Sequence, residues 1–159
     1  MTPRIDPAAV APDAYRAMAQ LERYVRGSGL EPKLIHLVKL RASYINGCSY
    51  CVDMHTKEAR HDGETEQRLY AIPVWHETPF FTERERAAML WTETVTNVSQ
   101  TNVPDDVYAQ VRTQFSETEL VNLTMAVVAI NGWNRIAISF RSVPGSHVVS
   151  ARTPATASS

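Results

Sequence analysis

Apolar residues recur along this chain at three- and four-residue spacing, the period of a helix that buries one face. Leu34, Leu37, Val38, Ala42 and Ile45 follow that rhythm. Pro32 before them suits a helix start, and Asn46-Gly47 ends the run. Asp13 can cap a stretch that runs to about Arg26, where Gly27 and Gly29 stop it. A third helix is expected from about Cys48 to His61-Asp62-Gly63. Glu64 or Thr65 opens a short one that carries Leu69 and Ile72 and closes at Pro73. Thr82 with Glu85, and Ser116 with Glu119, have the spacing of a capping box, each ahead of an apolar run. Pro104 suits the first turn of another helix, with Val107 and Val111 pointing inward. From Ser116 to Phe140 the chain is apolar on nearly all sides, the pattern of a helix in the middle of a bundle. These patterns predict an all-α bundle of six or seven helices. One domain over residues 1–142 is expected, behind a proline-rich arm that wraps over a neighbour or frays. Residues 143–159, with Pro144, Gly145, Pro154 and a Ser/Thr/Ala run, read as a disordered tail.

Composition narrows the function classes. The 159 residues are 44% hydrophobic and 21% charged, ordinary globular usage. Sixteen basic against seventeen acidic side chains leave a formal net charge of −1, so charge gives no reason to expect nucleic acid or an anionic membrane as partner. Residues 1–12 hold no apolar leader segment, and the most apolar window is broken by Asn131, Gly132, Asn134 and Arg135. A cytosolic protein is expected. Two cysteines three positions apart close too small a loop for a structural staple, which removes the secreted disulfide scaffold.

The chemistry-bearing segment is Asn46-Gly47-Cys48-Ser49-Tyr50-Cys51-Val52-Asp53-Met54-His55. On a helix, at about 100° per residue, Cys48, Cys51 and His55 fall within an arc of about 60°. Cys51 and His55 are i, i+4 neighbours within hydrogen-bonding reach. Cys48 stands at a helix start, where the macrodipole favours a thiolate. Such a pair lets one sulfur attack while the other resolves the product as a disulfide. Three readings stay open at this point: a redox-active dithiol, a zinc site completed by His36, His61 or a distant ligand, and two packed cysteines with an incidental histidine. Covalent haem attachment is excluded, because Val52 stands where a histidine must follow the second cysteine.

The stretch from Leu37 to Arg60, with Asp62-Gly63-Glu64, Thr82-Glu-Arg-Glu-Arg-Ala-Ala and Ile130-Asn-Gly-Trp-Asn-Arg135, closely resembles the carboxymuconolactone decarboxylase superfamily. More narrowly, it is similar to the alkylhydroperoxidase D-like (AhpD-like) branch, over residues 34–140. The resemblance implies an all-helical fold that assembles as a homo-oligomer such as a trimer or hexamer. It implies a peroxidase acting on a hydroperoxide, re-reduced by a dithiol partner such as a lipoylated or thioredoxin-like protein, with no bound cofactor or metal. By the same resemblance Cys51 is peroxidatic, Cys48 resolves and exchanges with the reductant, and His55 belongs to a proton relay. Two positions depart from the family pattern: His36 stands where a relay glutamate is usual, and Tyr50 where a histidine precedes the second cysteine. His36 reads either as a proton acceptor or as a satisfied core histidine. A dithiol redox sensor and a zinc-binding structural module remain as alternative functions.

Other polar and aromatic residues have plainer readings. His61, His76 and His147 lie in helix-end, loop or tail contexts and read as solvated. Trp91 and Trp133 read as core or interface anchors. Asn131, Asn134 and Arg135 lie on an otherwise apolar helix and need partners, as a brace for a subunit contact or for the cysteine turn. Arg41 either stabilises a thiolate or pairs with a carboxylate.

Overall fold

A computed structural model of the chain describes residues 1–149, and all structural statements concern those residues. They form an all-α bundle with nine helices. These are α1 (Pro7–Val10), α2 (Pro12–Arg26), α3 (Pro32–Asn46), α4 (Ser49–His61), α5 (Glu66–Ala71), α6 (Glu83–Thr96), α7 (Val98–Thr101), α8 (Asp105–Arg112) and α9 (Glu117–Phe140). Six have eight or more residues, and α5 continues as a 3-10 turn over Ile72–Glu77, so six or seven principal helices match the sequence pattern. No described helix is long and apolar enough to cross a membrane.

The helix ends follow local chemistry. Both predicted capping boxes form: Thr82 and Ser116 each accept the amide of the glutamate three residues on, and that glutamate accepts the cap amide in return. Asp13 differs from expectation. It sits inside the first turn of α2, while Ala11 holds the cap position and Pro12 begins the helix. The N-terminal arm contains α1, capped by Asp6, and is clipped to the end of α9 where Arg4 donates to the Phe140 and Ser139 carbonyls. The α-helical part of α5 ends at Ala71, two residues before Pro73, and the chain passes into a 3-10 turn that proline tolerates near its start.

The centre of the bundle is α3, which packs against α4, α6 and α9. Its Leu34, Ile35 and Val38 join a core with Leu123, Ala126 and Val127 of α9, while Leu37 and Leu40 join a second with Ile72, Trp75 and Met89. A helix with two apolar faces must sit between layers. The expectation that α9 is enclosed on all sides is corrected. It buries Leu120, Leu123, Val127 and Ile130 but exposes Val121 (61%) and Val128 (46%). Trp91 is a core residue whose indole N–H donates to Thr124 Oγ1, and Trp133 meets Tyr15 edge-on.

The expected tail begins at Val143. Residues 143–149 run back along α4, where the Gly145 amide donates to Asp53 Oδ2, and residues 150–159 lie outside the described residues.

Candidate active site

The cysteines lie where α3 turns into α4. Gly47 adopts φ +68°, a left-handed conformation that costs a residue with a Cβ about 1–2 kcal/mol. The turn delivers Cys48 to the cap position of α4, with its Sγ accepting the Cys51 amide at 3.4 Å. Cys48 and Cys51 are joined as a disulfide with their Cα atoms 5.3 Å apart, a separation inside the usual range. Both are 1% exposed, packed with Ala137 and Tyr50. A sulfur at the start of a helix should be the more exposed of such a pair, and by area it is not. The helix start is covered by the end of α9. The asymmetry survives in another form: Cys48 lines a surface cavity of about 120 Å³, together with Gly47, Tyr50, Ile138 and Arg141, and Cys51 does not.

A neutral polar seam fixes this turn. Asn46 Nδ2 donates to the side-chain oxygens of Asn131 (3.0 Å) and Asn134 (2.9 Å). Asn134, fully buried, donates to Ser43 Oγ, and Asn131 donates to Thr96 Oγ1. Arg135 clamps Asn131 from outside. The polar residues of α9 thus brace the cysteine turn, one of the two roles open from the sequence.

A charged seam lies on the other side. His55, 3% exposed, faces Glu58 through Nδ1 at 3.0 Å. A carboxylate acceptor places the proton on Nδ1 of a neutral ring, which leaves Nε2 as the base. Nε2 is buried and has no hydrogen-bond partner among the described residues, so the Cys51–His55 bond allowed by their spacing is not made in the disulfide form. Burial pushes the imidazole below its ordinary pKa, against the pull of Glu58. Burial alone would push the Glu58 carboxyl up, but the hydrogen bond from His55 and the positive charges nearby, Arg26 and Lys39 among them, hold it at about 2. The two partners pull oppositely on one proton. Glu58 stays ionised, with the His55 hydrogen bond first and then Arg26, whose Nη2 lies 3.8 Å away, favouring its charge, and the buried ring rests neutral.

The seam extends beyond this pair. Lys39, 2% exposed, is ion-paired with Glu22, and burial pushes its ammonium below the ordinary range. His36 turns its Nε2 to Asp62 at 2.9 Å rather than to His55 or a sulfur, and its Nδ1 is buried without a hydrogen bond. Arg41 pairs with Glu93 and the Pro73 carbonyl, so of its two sequence readings the carboxylate partner is the observed one. His76 also faces Glu93, and His61 is exposed. His147, read as solvated, instead reaches Glu58 Oε1 at 3.5 Å. Glu58, Glu22 and Lys39 went unnoticed in the sequence. Glu58 had a local signal, its i+3 spacing from His55. Glu22 on α2 and Lys39 on α3 are 17 residues apart in the chain and meet only in the folded bundle. Among the described residues no three His, Cys, Asp or Glu side chains converge as a metal site.

Comparison with known proteins places the chain by sequence and by fold. Residues 12–94 match the carboxymuconolactone decarboxylase family. The uncharacterised protein YdfG of Bacillus subtilis (strain 168) is 38% identical over 139 residues, spanning 87% of this chain and 95% of the relative. A protein of unknown function from Agrobacterium tumefaciens, whose name connects it with antioxidant defence and AhpD, has a crystal structure matching 94% of this chain and all of its own, at 50% identity and TM-score 0.87. The AhpD core of an uncharacterised peroxidase-related protein from Ralstonia eutropha JMP134 shares the fold at TM-score 0.78 and 20% identity, over 87% of this chain and 74% of that one. With fold and sequence in agreement, the chain belongs to the carboxymuconolactone decarboxylase family and has the AhpD-like fold.

Proposed function

We propose that this protein is a thiol-dependent hydroperoxidase of the AhpD-like kind, working in the cytosol. The observation that carries the reading is the His55 ring beside the cysteine pair, held through Nδ1 by Glu58 with a buried, unpartnered Nε2 one helical turn beyond Cys51. In the reduced protein His55 Nε2 takes the Cys51 thiol proton. The thiolate attacks the terminal peroxide oxygen, the O–O bond breaks, and the departing alkoxide takes the proton back from His55. Cys51 is then a sulfenic acid. The Cys48 thiol attacks that sulfur, water leaves, and the disulfide forms. An external dithiol opens it by attack on Cys48, the sulfur that lines the surface cavity, and its second thiol releases Cys48 as it becomes a disulfide itself. No cofactor or metal enters this cycle.

The test is a coupled assay with hydrogen peroxide and organic hydroperoxides, using several dithiol donors. Sustained turnover with at least one donor is expected. A disulfide that is readily reduced but gives no turnover with any donor overturns the peroxidase reading in favour of a redox sensor. Stoichiometric zinc in protein purified under reducing conditions would move it to a structural metal module.

The same reading includes self-association. Trp91, Tyr108, Leu120, Val121 and Met125 line an apolar groove of about 430 Å³, and Val128 on the same helix as the last three is also exposed. A contiguous apolar face of this kind marks an interaction surface, and a second copy of the chain is the proposed occupant. Light scattering at micromolar concentration should give a homo-oligomer, and a clean monomer would contradict the proposal.

A further inference from the structure

The residues that follow α9 form a short strap against α4. The Gly145 amide donates to Asp53 Oδ2 at 2.9 Å, and Ser146 Oγ closes the turn onto the Val143 carbonyl. Lys57 Nζ bonds the same Asp53 oxygen at 2.8 Å and donates to the His147 carbonyl at 3.3 Å. Asp53 and Lys57 are i, i+4 neighbours and share one edge of α4. Glu58, the next residue, is reached from that edge. His147 consequently brings Nε2, a buried atom with no hydrogen bond, to 3.5 Å from Glu58 Oε1. The other oxygen of that carboxylate accepts from His55 Nδ1. One carboxylate stands between two imidazoles, His55 almost fully buried and His147 with 24% of its side chain exposed.

We propose that His147 is a positioning residue for the thiol chemistry, which sets through its own proton how much of the Glu58 charge is available to His55. The inference rests on the reading of Cys51 and His55 given above. Uncharged, His147 leaves the Glu58 carboxylate to His55 and supports an imidazolium there. Charged, it takes Oε1 as an ion pair, weakens that support, and makes His55 a poorer acceptor for the Cys51 proton. The other charged groups around the strap and the carboxylate are Asp53 and Lys57, paired with each other on α4, Arg26 on α2, and Lys39 on α3, paired with Glu22. His36 meets Asp62 instead. A charge on His147 also attracts a Cys51 thiolate directly, with the opposite effect. Seven helical residues put about 10 Å of axis between Cys51 and Glu58, whereas the ring is in near contact with the carboxylate, so the effect through Glu58 dominates.

The experiment follows alkylation of the lone Cys51 thiol in a reduced Cys48→Ser background, from pH 5 to 8.5, with and without changes at His147. His147→Gln keeps a donor for Oε1 without the charge. Its acid-side loss of Cys51 reactivity should move down by about half to one pH unit, three- to tenfold faster alkylation at pH 5.5. His147→Lys holds the charge throughout and should slow alkylation at pH 7 by a similar factor. Asp53→Asn, which loosens the strap without touching the ring, should follow His147→Gln. Profiles that overlay that of the unchanged strap, or that move the same way in the Gln and Lys variants, overturn the proposal. Alkylation reports the thiol whether or not peroxide is turned over. Shifted profiles without peroxidase activity would refute the peroxidase reading alone, and unshifted profiles with activity would refute this one alone.

Discussion

Two polar seams flank the cysteine pair, and they are built on opposite principles. The seam between α3 and α9 is neutral, and its amides bond one another: Asn46 to Asn131 and Asn134, Asn134 to Ser43, Asn131 to Thr96. The seam among α2, α3, α4 and the strap is charged and incompletely bonded, with Glu22 Oε2, His36 Nδ1, His55 Nε2 and His147 Nε2 buried without hydrogen bonds among the described residues. A satisfied amide network has one arrangement and holds the backbone that carries it. A buried base with a free lone pair can instead receive a proton. On the proposed chemistry the neutral seam positions sulfur and the charged seam handles protons.

Substitutions that separate the two roles put this contrast at risk. The largest effect is expected from His55→Ala, which should slow the reaction of reduced protein with peroxide by about 100- to 10,000-fold, the usual worth of a general base. Stopped-flow peroxide consumption measures it, and a loss under tenfold would mean that the ring takes no part. Asn134→Ala should cost about 2–3 kcal/mol by urea unfolding, since it strips partners from Asn46 and Ser43 and leaves a cavity. The pH profile of Cys51 should nevertheless keep its shape, and a moved midpoint would show that the amide seam also handles protons. Acidification should act on the charged seam. The His55 pKa is lowered from 6.5 on folding, so its contribution is complete above pH 6.5 and is lost as pH falls below that value. Glu58 is lowered from 4.5 to about 2, so a second loss follows between those values. Urea midpoints of reduced protein at pH 8, 6 and 4 should therefore fall in that order, and Glu58→Gln should reduce the drop at the acid end. Gly47→Ala is the mildest change, about 1 kcal/mol of strain at the turn. It should lower stability while leaving alkylation of Cys51 within a few-fold.

Much of this arrangement is visible in the chain because its signals are local. Helix starts are announced by Thr82/Glu85, Ser116/Glu119 and Pro32, and the cysteine turn by Asn46-Gly47. The positions of Cys48, Cys51 and His55 on one helix follow from spacing alone. The charged seam is hidden for the opposite reason: Glu22, Lys39 and Glu58 come from three helices and read singly as solvated surface charges. His147 is hidden further, since nothing in a Pro-Gly-Ser stretch says which carboxylate it will meet. His36 shows the limit of matching positions, because its ring answers to Asp62, a residue 26 places away. The α9 pattern is apolar on nearly all sides, yet which side meets solvent in a single chain depends on how many neighbours exist to cover it.

The central claim is that Cys51 is the attacking sulfur although Cys48 holds the more obvious advantages. Cys48 caps α4, receives the Cys51 amide, and lines the cavity. The helix terminus is worth only about 0.3–1 kcal/mol to a thiolate at exposed sites, whereas the proposed chemistry gives Cys51 a specific base in His55. Reduced Cys48→Ser and Cys51→Ser proteins, each given one equivalent of peroxide and a sulfenic-acid trap, separate the two by mass spectrometry. The account predicts one equivalent consumed by Cys48→Ser with the trapped adduct on Cys51, and loss of the rapid reaction in Cys51→Ser. An adduct on Cys48 in the Cys51→Ser protein, formed at the wild-type rate, would reverse the assignment.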